Sequence, residues 1–500
     1  MEDKLNDLKT ILAEVSDIGH AAAIASWDQQ AFMPPGGAES RGNVMATLSR
    51  LSHETFTSDK VGKLLEELKS YGENLEADSN DARLLKVTLR DFEKAVKVPS
   101  AMVAEKAQLT TLGNQAWREA RSKSEFSIFE SHLEKFVDWV QRYAELFKPY
   151  DHIYDPLLDD YEPGMKTYEV RSIFDGIRPQ QVELIAAIAS QPQVDNSFLY
   201  QHFDEAKQMA FGEAVFTQFG YDLDRGRQDK STHPFSITFG YGDSRITVRV
   251  DEQYFNTYLF AALHEAGHAM YEQGVAKELY RTPLYGGTSL AVHESQSRLW
   301  ENLVGRSRPF WAHFFPKLQE LFPSQLANVA VEDFYKGINK VAPSFIRVEA
   351  DEATYNLHVM LRMDIEISLL EGSMKVKDLP DVWNTTFKDY LGVTPPDDAL
   401  GVLQDIHWSF GLFGYFPTYS LGNLVSAQLW EVINADIPDL PDQIGKGEFA
   451  PLLTWLNEKI HIHGSKFKPQ ELIEQVTGSK IDGDLYIKYL QTKFGEIYRL

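Results

Sequence analysis

The stretch DEQYFNTYLFAALHEAGHAMYEQG, from Asp251 to Gly274, decides the fold and the chemistry of this 500-residue chain. Its apolar residues recur at helical spacing, which predicts a helix with Asp251 as its N-cap and Gly274 as its stop signal. His264 and His268 are four positions apart, so both imidazoles face the same side of that helix and can share a metal ion. Glu265 is placed to take the proton of an attacking water. This H-E-x-x-H arrangement predicts metal-assisted hydrolysis.

A second helix, predicted from Thr288 to Gly305, offers a third ligand. Glu294 stands 26 positions after His268, and the turn residues from 281 to 287 let the chain reverse and lay this helix beside the first. Two histidines and one carboxylate leave one zinc position open, as a catalytic site needs. The alternative is that Glu294 binds no metal and has only a structural role on a solvated helix face. His293 should point about 100° away from Glu294, so we do not expect it to be a ligand.

Composition restricts the class of protein. The chain has 49 Lys and Arg against 73 Asp and Glu, a net charge of -24, which disfavours nucleic acid and anionic membranes as partners. It has no cysteine, so disulfides, thiolate catalysis and cysteine-bound metals are excluded. The amino terminus is charged, and no stretch reaches the roughly 20 apolar residues that a bilayer span needs. We therefore expect a cytoplasmic protein that does not enter membranes.

Helical periodicity dominates the rest of the chain. It runs from Leu5 to about Val103 with a break at 33–37, and through 100–150 and 165–220, with breaks near 155–156 and 162–164. Residues 233–250 alternate around a Gly-rich turn, which predicts a β-hairpin. No repeat or long linker separates independent domains, so one domain over residues 1–500 with two lobes is the expectation. The pair His461 and His463 lacks companions and is interpreted as structural.

Five further motifs accompany HEAGH in the sequence. They are HPF at 233–235, DSRIT at 243–247, HESQ at 293–296, IRVEAD at 346–351 and GVLQDIHW at 401–408. In this order they resemble the M32 family of metallocarboxypeptidases, the carboxypeptidase Taq type. The segments at 27–37 and 154–165 are similar to the same family, so the amino-terminal half is expected to belong to the same domain.

The resemblance implies more than the residues alone show. It implies a mainly α, two-lobed domain with a deep active-site cleft and a small β-sheet, similar to the gluzincins neurolysin and angiotensin-converting enzyme. It also implies a homodimer and a zinc ion, for which cobalt can substitute. The activity it implies is removal of single residues from the free C-terminus of peptides, with broad specificity.

Further candidate residues come from the chemistry of this reaction. The tetrahedral oxyanion needs preorganised donors, for which His407, Tyr415 and Tyr419 are candidates, while packing is the alternative role of the two tyrosines. Recognition of a free carboxylate suits an arginine fork. Arg347 is the first choice and Arg245 the second.

Several alternatives stay open at this point. Either arginine could instead pair with Asp351, Asp243 or another carboxylate. His233 is expected to line the cleft, beside a hairpin edge that pairs with extended substrate. A zinc endo-oligopeptidase with the same site is the alternative activity. A catalytically silent peptide-binding protein is disfavoured because Glu265 is present.

Overall fold

The computed structural model describes all 500 residues and is predominantly helical, which confirms the mainly α prediction. The first part of the chain forms α1 (Glu2–Ala31), α2 (Ala38–Phe56), α3 (Asp59–Glu73), α4 (Asn80–Lys97), α5 (Ser100–Lys123), α6 (Ser127–Glu145), α7 (Asp155–Asp159), α8 (Thr167–Ala189) and α9 (Glu205–Phe219). Strands β1 (Gln228–Lys230), β2 (Phe235–Thr238) and β3 (Ser244–Val248) follow. The remainder forms α10 (Asn256–Gly274), α11 (Leu290–Arg298), α12 (Arg308–Leu321), α13 (Pro323–Leu326), α14 (Val331–Ile338), α15 (Tyr355–Glu371), α16 (Leu379–Leu391), α17 (Pro417–Asp436), α18 (Leu440–Lys446), α19 (Ala450–Lys459), α20 (Pro469–Thr477) and α21 (Gly483–Tyr498). None of these helices has the length and apolarity that crossing a bilayer would need.

The residues group into two compact units, each assembled from three separated segments. Unit 1 consists of Met1–Val96, Asn196–Ile338 and Leu429–Gly478. Unit 2 consists of Lys97–Asp195, Asn339–Gln428 and Ser479–Leu500. The chain therefore passes from one unit to the other five times.

The amino-terminal helices of unit 1 pack through leucine-rich faces. Leu5, Leu8 and Leu12 of α1 recur at three- and four-residue spacing and are buried against apolar residues of α3 and α4. Burying each such side chain contributes about 1.5–3 kcal/mol. The helical prediction for this region is confirmed, and the predicted break at 33–37 forms the turn between α1 and α2.

The sheet in unit 1 has the order β1-β3-β2. β2 pairs antiparallel with β3, as Ser236 opposite Ile246 shows, so the predicted hairpin is confirmed. β1 pairs parallel with β3 and was not predicted. α10 packs against β2 and β3. β2 is an outer strand, with one edge that no strand occupies.

The predicted metal-site helix begins later than expected. α10 starts at Asn256, because the Asp251 carboxylate instead accepts the N–H of Gln253 at 2.8 Å and closes a local turn. Its end at Gly274 is confirmed. A glycine is needed at this position because Asn457 lies close to it: a Cβ on residue 274 would be 2.3 Å from Asn457 Oδ1.

The second predicted helix is confirmed. The Ser289 hydroxyl accepts the N–H of Val292 at 3.1 Å and caps α11. The helix continues as a π-helical turn over Leu299–Val304 and ends at Gly305, where the prediction placed its end.

Unit 2 is built around α15, which is buried on nearly all sides and packs against α16. The helical pattern predicted over 165–220 is confirmed and forms two helices, α8 in unit 2 and α9 in unit 1, separated by residues 190–204. The predicted break at Asp155 is the start of α7, because its carboxylate accepts the N–H and the hydroxyl of Thr167, at 2.8 and 2.6 Å, and Pro156 suits a first helical turn.

Candidate active site

Three predicted metal ligands meet in unit 1. His264 and His268 lie one turn apart on α10, and Glu294 lies on α11. Glu294 Oε2 is 3.6 Å from His264 Nε2 and 3.5 Å from His268 Nε2. Ligands bound tetrahedrally to zinc at about 2.0–2.1 Å stand roughly 3.4 Å apart. These side chains therefore fit one metal ion.

Gly267 allows α11 to pack close to α10, which brings the three predicted ligands together. A Cβ on Gly267 would lie 2.7 Å from Ser297 Cα and 2.9 Å from the Gln296 carbonyl oxygen, both on the α11 backbone. Real Cβ atoms do not approach backbone atoms so closely. The glycine inside the HEAGH motif thus sets the separation of the two ligand-bearing helices.

A second layer of charged groups orients two of the ligands. His264 Nδ1 is 2.9 Å from Glu301 Oε2, which leaves Nε2 for the metal. The Arg298 guanidinium donates to Glu294 Oε1 at 2.7 Å, which leaves Oε2 facing the histidines. Arg298 and Glu301 were missed in the sequence, although they follow Glu294 by four and seven positions on one helix face.

His293 supports the other histidine ligand from behind. Its Nδ1 lies 2.6 Å from His268 Nδ1, and its Nε2 lies 2.8 Å from Glu272 Oε1. His293 is not one of the three residues whose ligand atoms converge. The hydrogen bond leaves His268 Nε2 as the metal-facing nitrogen.

His461 has a structural environment in unit 1. It is buried, and its Nε2 and Nδ1 lie 2.8 Å from Gln296 Oε1 and 2.8 Å from Asn457 Oδ1. Gln296 belongs to α11, so His461 fixes the helix that carries Glu294. No carboxylate joins His461 and His463 in a second metal cluster.

The charge distribution of the site favours binding of a cation. Burial lowers the pKa of His268 to about 3, so its imidazole is in the neutral, ligating form. Burial also opposes the charge of His264, but Glu294 and Glu301 outweigh it and raise the pKa to about 10. The negative charges of Glu294 and Glu301 thus keep His264 protonated. A bound metal ion would neutralise these carboxylates in place of that proton. Burial disfavours charge on Glu294 as well, yet Arg298 and His264 keep its pKa well below the usual range.

Glu265 differs from the other carboxylates of the site. It is buried, and no residue donates a hydrogen bond to it. Burial raises its pKa to about 7. A carboxyl group that titrates near neutrality can both accept and return a proton.

Unit 2 contains a second cluster of predicted site residues around Arg347. The Arg347 guanidinium donates from Nε and Nη2 to Asp405 Oδ1 at 3.1 and 2.9 Å, and from Nη1 to the Tyr355 hydroxyl at 2.7 Å. Burial favours the neutral acid, but Arg347 and Arg362 hold the pKa of Asp405 well below its usual range. Asp405 lies in the GVLQDIHW motif, and no feature of that motif indicated Arg347 as its partner.

The three predicted oxyanion donors lie together in the same cluster. His407 Nε2 is 3.3 Å from the Tyr419 hydroxyl, and the His407 ring centroid is 5.3 Å from that of Tyr415. Tyr419 lies beneath the Arg347 guanidinium, whose central carbon is 4.7 Å from the ring centroid. Burial lowers the pKa of His407 to about 3, so the imidazole is neutral at pH 7.

The remaining two candidates lie in unit 1. Arg245 on β3 pairs side-on with Asp243, with both bonds at 2.8 Å, and stacks over Trp27 and Phe239. This is one of the partners considered from the sequence. His233 is exposed and precedes β2. No hydrogen bond links either residue to the metal ligands.

Comparison with known proteins decides the family. The family model described as "Carboxypeptidase Taq (M32) metallopeptidase" matches residues 7–494. The chain belongs to the M32 family. Its M32 relatives include thermostable carboxypeptidase 1 of Thermus thermophilus, 40% identical over 97% of both chains, and carboxypeptidase 1 of Bacillus subtilis, 38% identical over 98% of both.

Solved M32 structures have the same fold. The M32 carboxypeptidase of Deinococcus radiodurans superimposes with a TM-score of 0.97 at 40% identity and covers 100% of both chains. Metallocarboxypeptidase 1 of Trypanosoma cruzi gives a TM-score of 0.94 at 34% identity, also over 100% of both chains. This M32 chain is therefore a peptide-bond hydrolase of the metallocarboxypeptidase type.

Proposed function

We propose that this chain is a zinc carboxypeptidase that removes single residues from the free C-terminus of peptides with broad specificity. The observation that carries the proposal is the meeting of His264, His268 and Glu294 beside Glu265, a buried carboxylate without hydrogen-bond donors. The family supplies the class of reaction. The donor set supports zinc, because two imidazoles and one carboxylate are common zinc ligands that leave an open position.

The three ligands would hold the ion through His264 Nε2, His268 Nε2 and Glu294 Oε2. When bound, zinc supplies a Lewis acid that acidifies water and polarises a carbonyl. The groups behind the ligands keep these atoms pointed inward, because Glu301, Arg298 and His293 each occupy the other polar atom of one ligand.

Glu265 is the proposed general base. Its carboxylate takes the proton of the attacking water and then delivers it to the nitrogen of the leaving amino acid. Its raised pKa, about 7 because of burial, suits both directions of transfer near neutral pH. In this proposal His407, Tyr415 and Tyr419 are the donors to the oxyanion.

Arg347 is the proposed anchor for the substrate carboxylate. Its bonds to Asp405 occupy the side formed by Nε and Nη2, and Tyr355 takes one Nη1 hydrogen. These contacts leave one N–H on each of Nη1 and Nη2, and guanidinium donors of this kind suit a carboxylate. Arg245 is the second candidate, because Asp243 likewise occupies only the Nε and Nη2 side of its guanidinium.

The outer edge of β2 and the exposed His233 are proposed to line the path of an extended peptide. A homodimer, suggested by the resemblance, is the proposed assembly, and light scattering on the purified protein would test it. The alternative activity is an endo-oligopeptidase with the same metal ligands, since the metal chemistry does not choose which bond is cut.

The deciding experiment digests a mixed peptide library with and without chelator and identifies the products by mass. We expect ladders that shorten by one residue from the C-terminus and stop when the metal is removed. Peptides with amidated C-termini should be poor substrates. Internal cleavage of amidated peptides at rates equal to those of free acids would overturn the exopeptidase proposal.

A further inference from the structure

A cavity of about 210 Å³ lies behind the metal ligands in unit 1. We name it the Glu272 cavity, after the carboxylate in its wall. Its other polar lining groups are His20, Tyr285, His293 and the β2 segment 236–238. A water molecule occupies about 30 Å³ of liquid, so the cavity has room for several waters or one long side chain.

Two polar groups at the cavity are not satisfied by the protein. Glu272 Oε1 accepts the N–H of Gly287 at 3.1 Å and faces His293 Nε2 at 2.8 Å, whereas Oε2 accepts no hydrogen bond. The Tyr285 hydroxyl is buried and has no partner. An unpaired buried hydroxyl is destabilising, so a ligand group that reaches it removes that cost.

The charge of the lining favours a cation. Glu272 is the only acidic residue of the lining, which contains no lysine or arginine. Burial lowers the pKa of His20, so this histidine adds no positive charge at neutral pH. The nearby Arg225 is not part of the lining, and it donates to the Gln273 carbonyl oxygen at 2.9 Å and lies over the Tyr241 ring. An acidic ligand would be repelled, an apolar one would leave Oε2 unpaired, and a cationic donor forms the stronger, charge-assisted bond to it.

The cavity lies along the expected course of the substrate. One wall is β2, whose outer edge pairs with no other strand, and an extended peptide can add to an edge of this kind. The lining also includes His293, whose Nδ1 lies 2.6 Å from Nδ1 of the predicted ligand His268. A peptide bound along β2 would therefore direct alternate side chains toward or away from this cavity.

Helix geometry sets how far the cavity is from the reaction. Glu272 follows Glu265 by seven positions on α10, which is about 10 Å along the axis at 1.5 Å per residue. An extended peptide advances about 3.3 Å per residue, so a peptide that runs along α10 would place the cavity roughly three residues from the bond beside Glu265. Only one residue lies beyond that bond in a carboxypeptidase substrate. The side chain in the cavity must then come from the upstream part of the peptide.

We propose that the Glu272 cavity is a substrate subsite that binds the side chain of a lysine or arginine two or three residues upstream of the bond that is cut. The inference rests on the proposed carboxypeptidase activity. The ammonium or guanidinium group would donate to Glu272 Oε2 and to the Tyr285 hydroxyl oxygen. The aliphatic part of the side chain would pack between Ile237 and the Tyr285 ring.

The test is a lysine scan in an alanine hexapeptide with a free C-terminus, compared with the same scan using norleucine. With the zinc-loaded enzyme, we expect kcat/KM for lysine to exceed that for norleucine by about tenfold or more at one upstream position, as for a partly buried charge-assisted bond. A ratio near one at every upstream position would overturn the inference.

Three variants locate the effect. Glu272→Gln should bring the lysine-to-norleucine ratio close to one, and Tyr285→Phe should lower it partially. Because Glu272 also holds His293, overall activity can fall, so the ratio is the readout. Glu301→Gln is the matched control, since it removes the carboxylate behind His264 and lies outside the cavity. Glu301→Gln should lower kcat/KM for both the lysine and the norleucine peptides and leave their ratio unchanged. An unchanged ratio in Glu272→Gln would contradict the subsite.

Failure of the proposed function gives a different result. If no hexapeptide loses a C-terminal residue, the carboxypeptidase proposal is wrong. Affinities of the lysine and norleucine peptides are then measured by competition against a fluorescent peptide. A lysine advantage that Glu272→Gln abolishes supports the subsite, and equal affinities overturn it.

Discussion

Gly267 gives the sharpest test of how the metal site is assembled. In Gly267→Ala the new methyl group would lie 2.7 Å from Ser297 Cα, whereas carbon atoms prefer about 3.5–4.0 Å. The two helices must then separate by roughly 1 Å, while metal–ligand distances tolerate only about 0.2 Å. Glu294 lies one turn from Ser297 and would move with α11. We expect zinc affinity to fall by at least about a hundredfold, about 2.7 kcal/mol, although every ligand is still present.

Zinc affinity is measured by competition with a chromogenic chelator, and activity is followed on the same samples. Overpacking should also cost about 1–3 kcal/mol of folding free energy, partly offset by about 1 kcal/mol from the better helix propensity of alanine. Gly19→Ala in α1 is the matched control, because no heavy atom lies within 4 Å of its new Cβ. That variant should keep zinc affinity and gain about 0.5–1 kcal/mol. If Gly267→Ala binds zinc within about threefold of wild type, the close approach does not position Glu294.

Three further predictions follow from the site and from unit 2. Glu265→Gln should retain zinc, measured as metal content, yet lose nearly all kcat, because an amide cannot accept the water's proton; near-normal turnover would exclude Glu265 as the base. Arg347→Ala should cost roughly 2–4 kcal/mol in kcat/KM on free-acid peptides and remove the preference over amides, and if Arg245→Ala does so instead, the anchor is Arg245. Burial raises the pKa of Glu366 from 4.5 to about 7, so its contribution is fully present below about pH 4.5 and is lost as pH rises toward 7. The free energy of unfolding should fall by about 3 kcal/mol from this group across that range, and denaturant titrations of Glu366→Gln should lack that part of the slope.

The local sequence predicted the elements that carry the metal ligands. The four-residue spacing of His264 and His268 requires a helix, and Glu294 lies in a second helical pattern after a reversing turn. These features are encoded within about 40 residues, where periodicity and turn chemistry are informative. The Asp251 start was wrong because an N-cap residue can also close an isolated turn.

Long-range partners were not predictable in this way. Arg347 and Asp405 are 58 positions apart, and a single sequence contains no signal that pairs them. β1 is only three residues long, QDK, and its polar composition is not typical of a strand. No local pattern marks Glu272 either, because its partner His293 comes from another helix.

The interleaving of the two units has a consequence for biosynthesis. Unit 1 needs residues up to Gly478, and unit 2 needs the last helix of the chain. Arg83 hydrogen-bonds to Glu471, a residue made 388 positions later, and Val341 donates to the hydroxyl of Tyr498. The ribosome therefore synthesises His264, His268 and Glu294 long before either unit can close. The helices α10 and α11 are complete long before the rest of unit 1, and no contiguous fragment of the gene encodes either unit without part of the other.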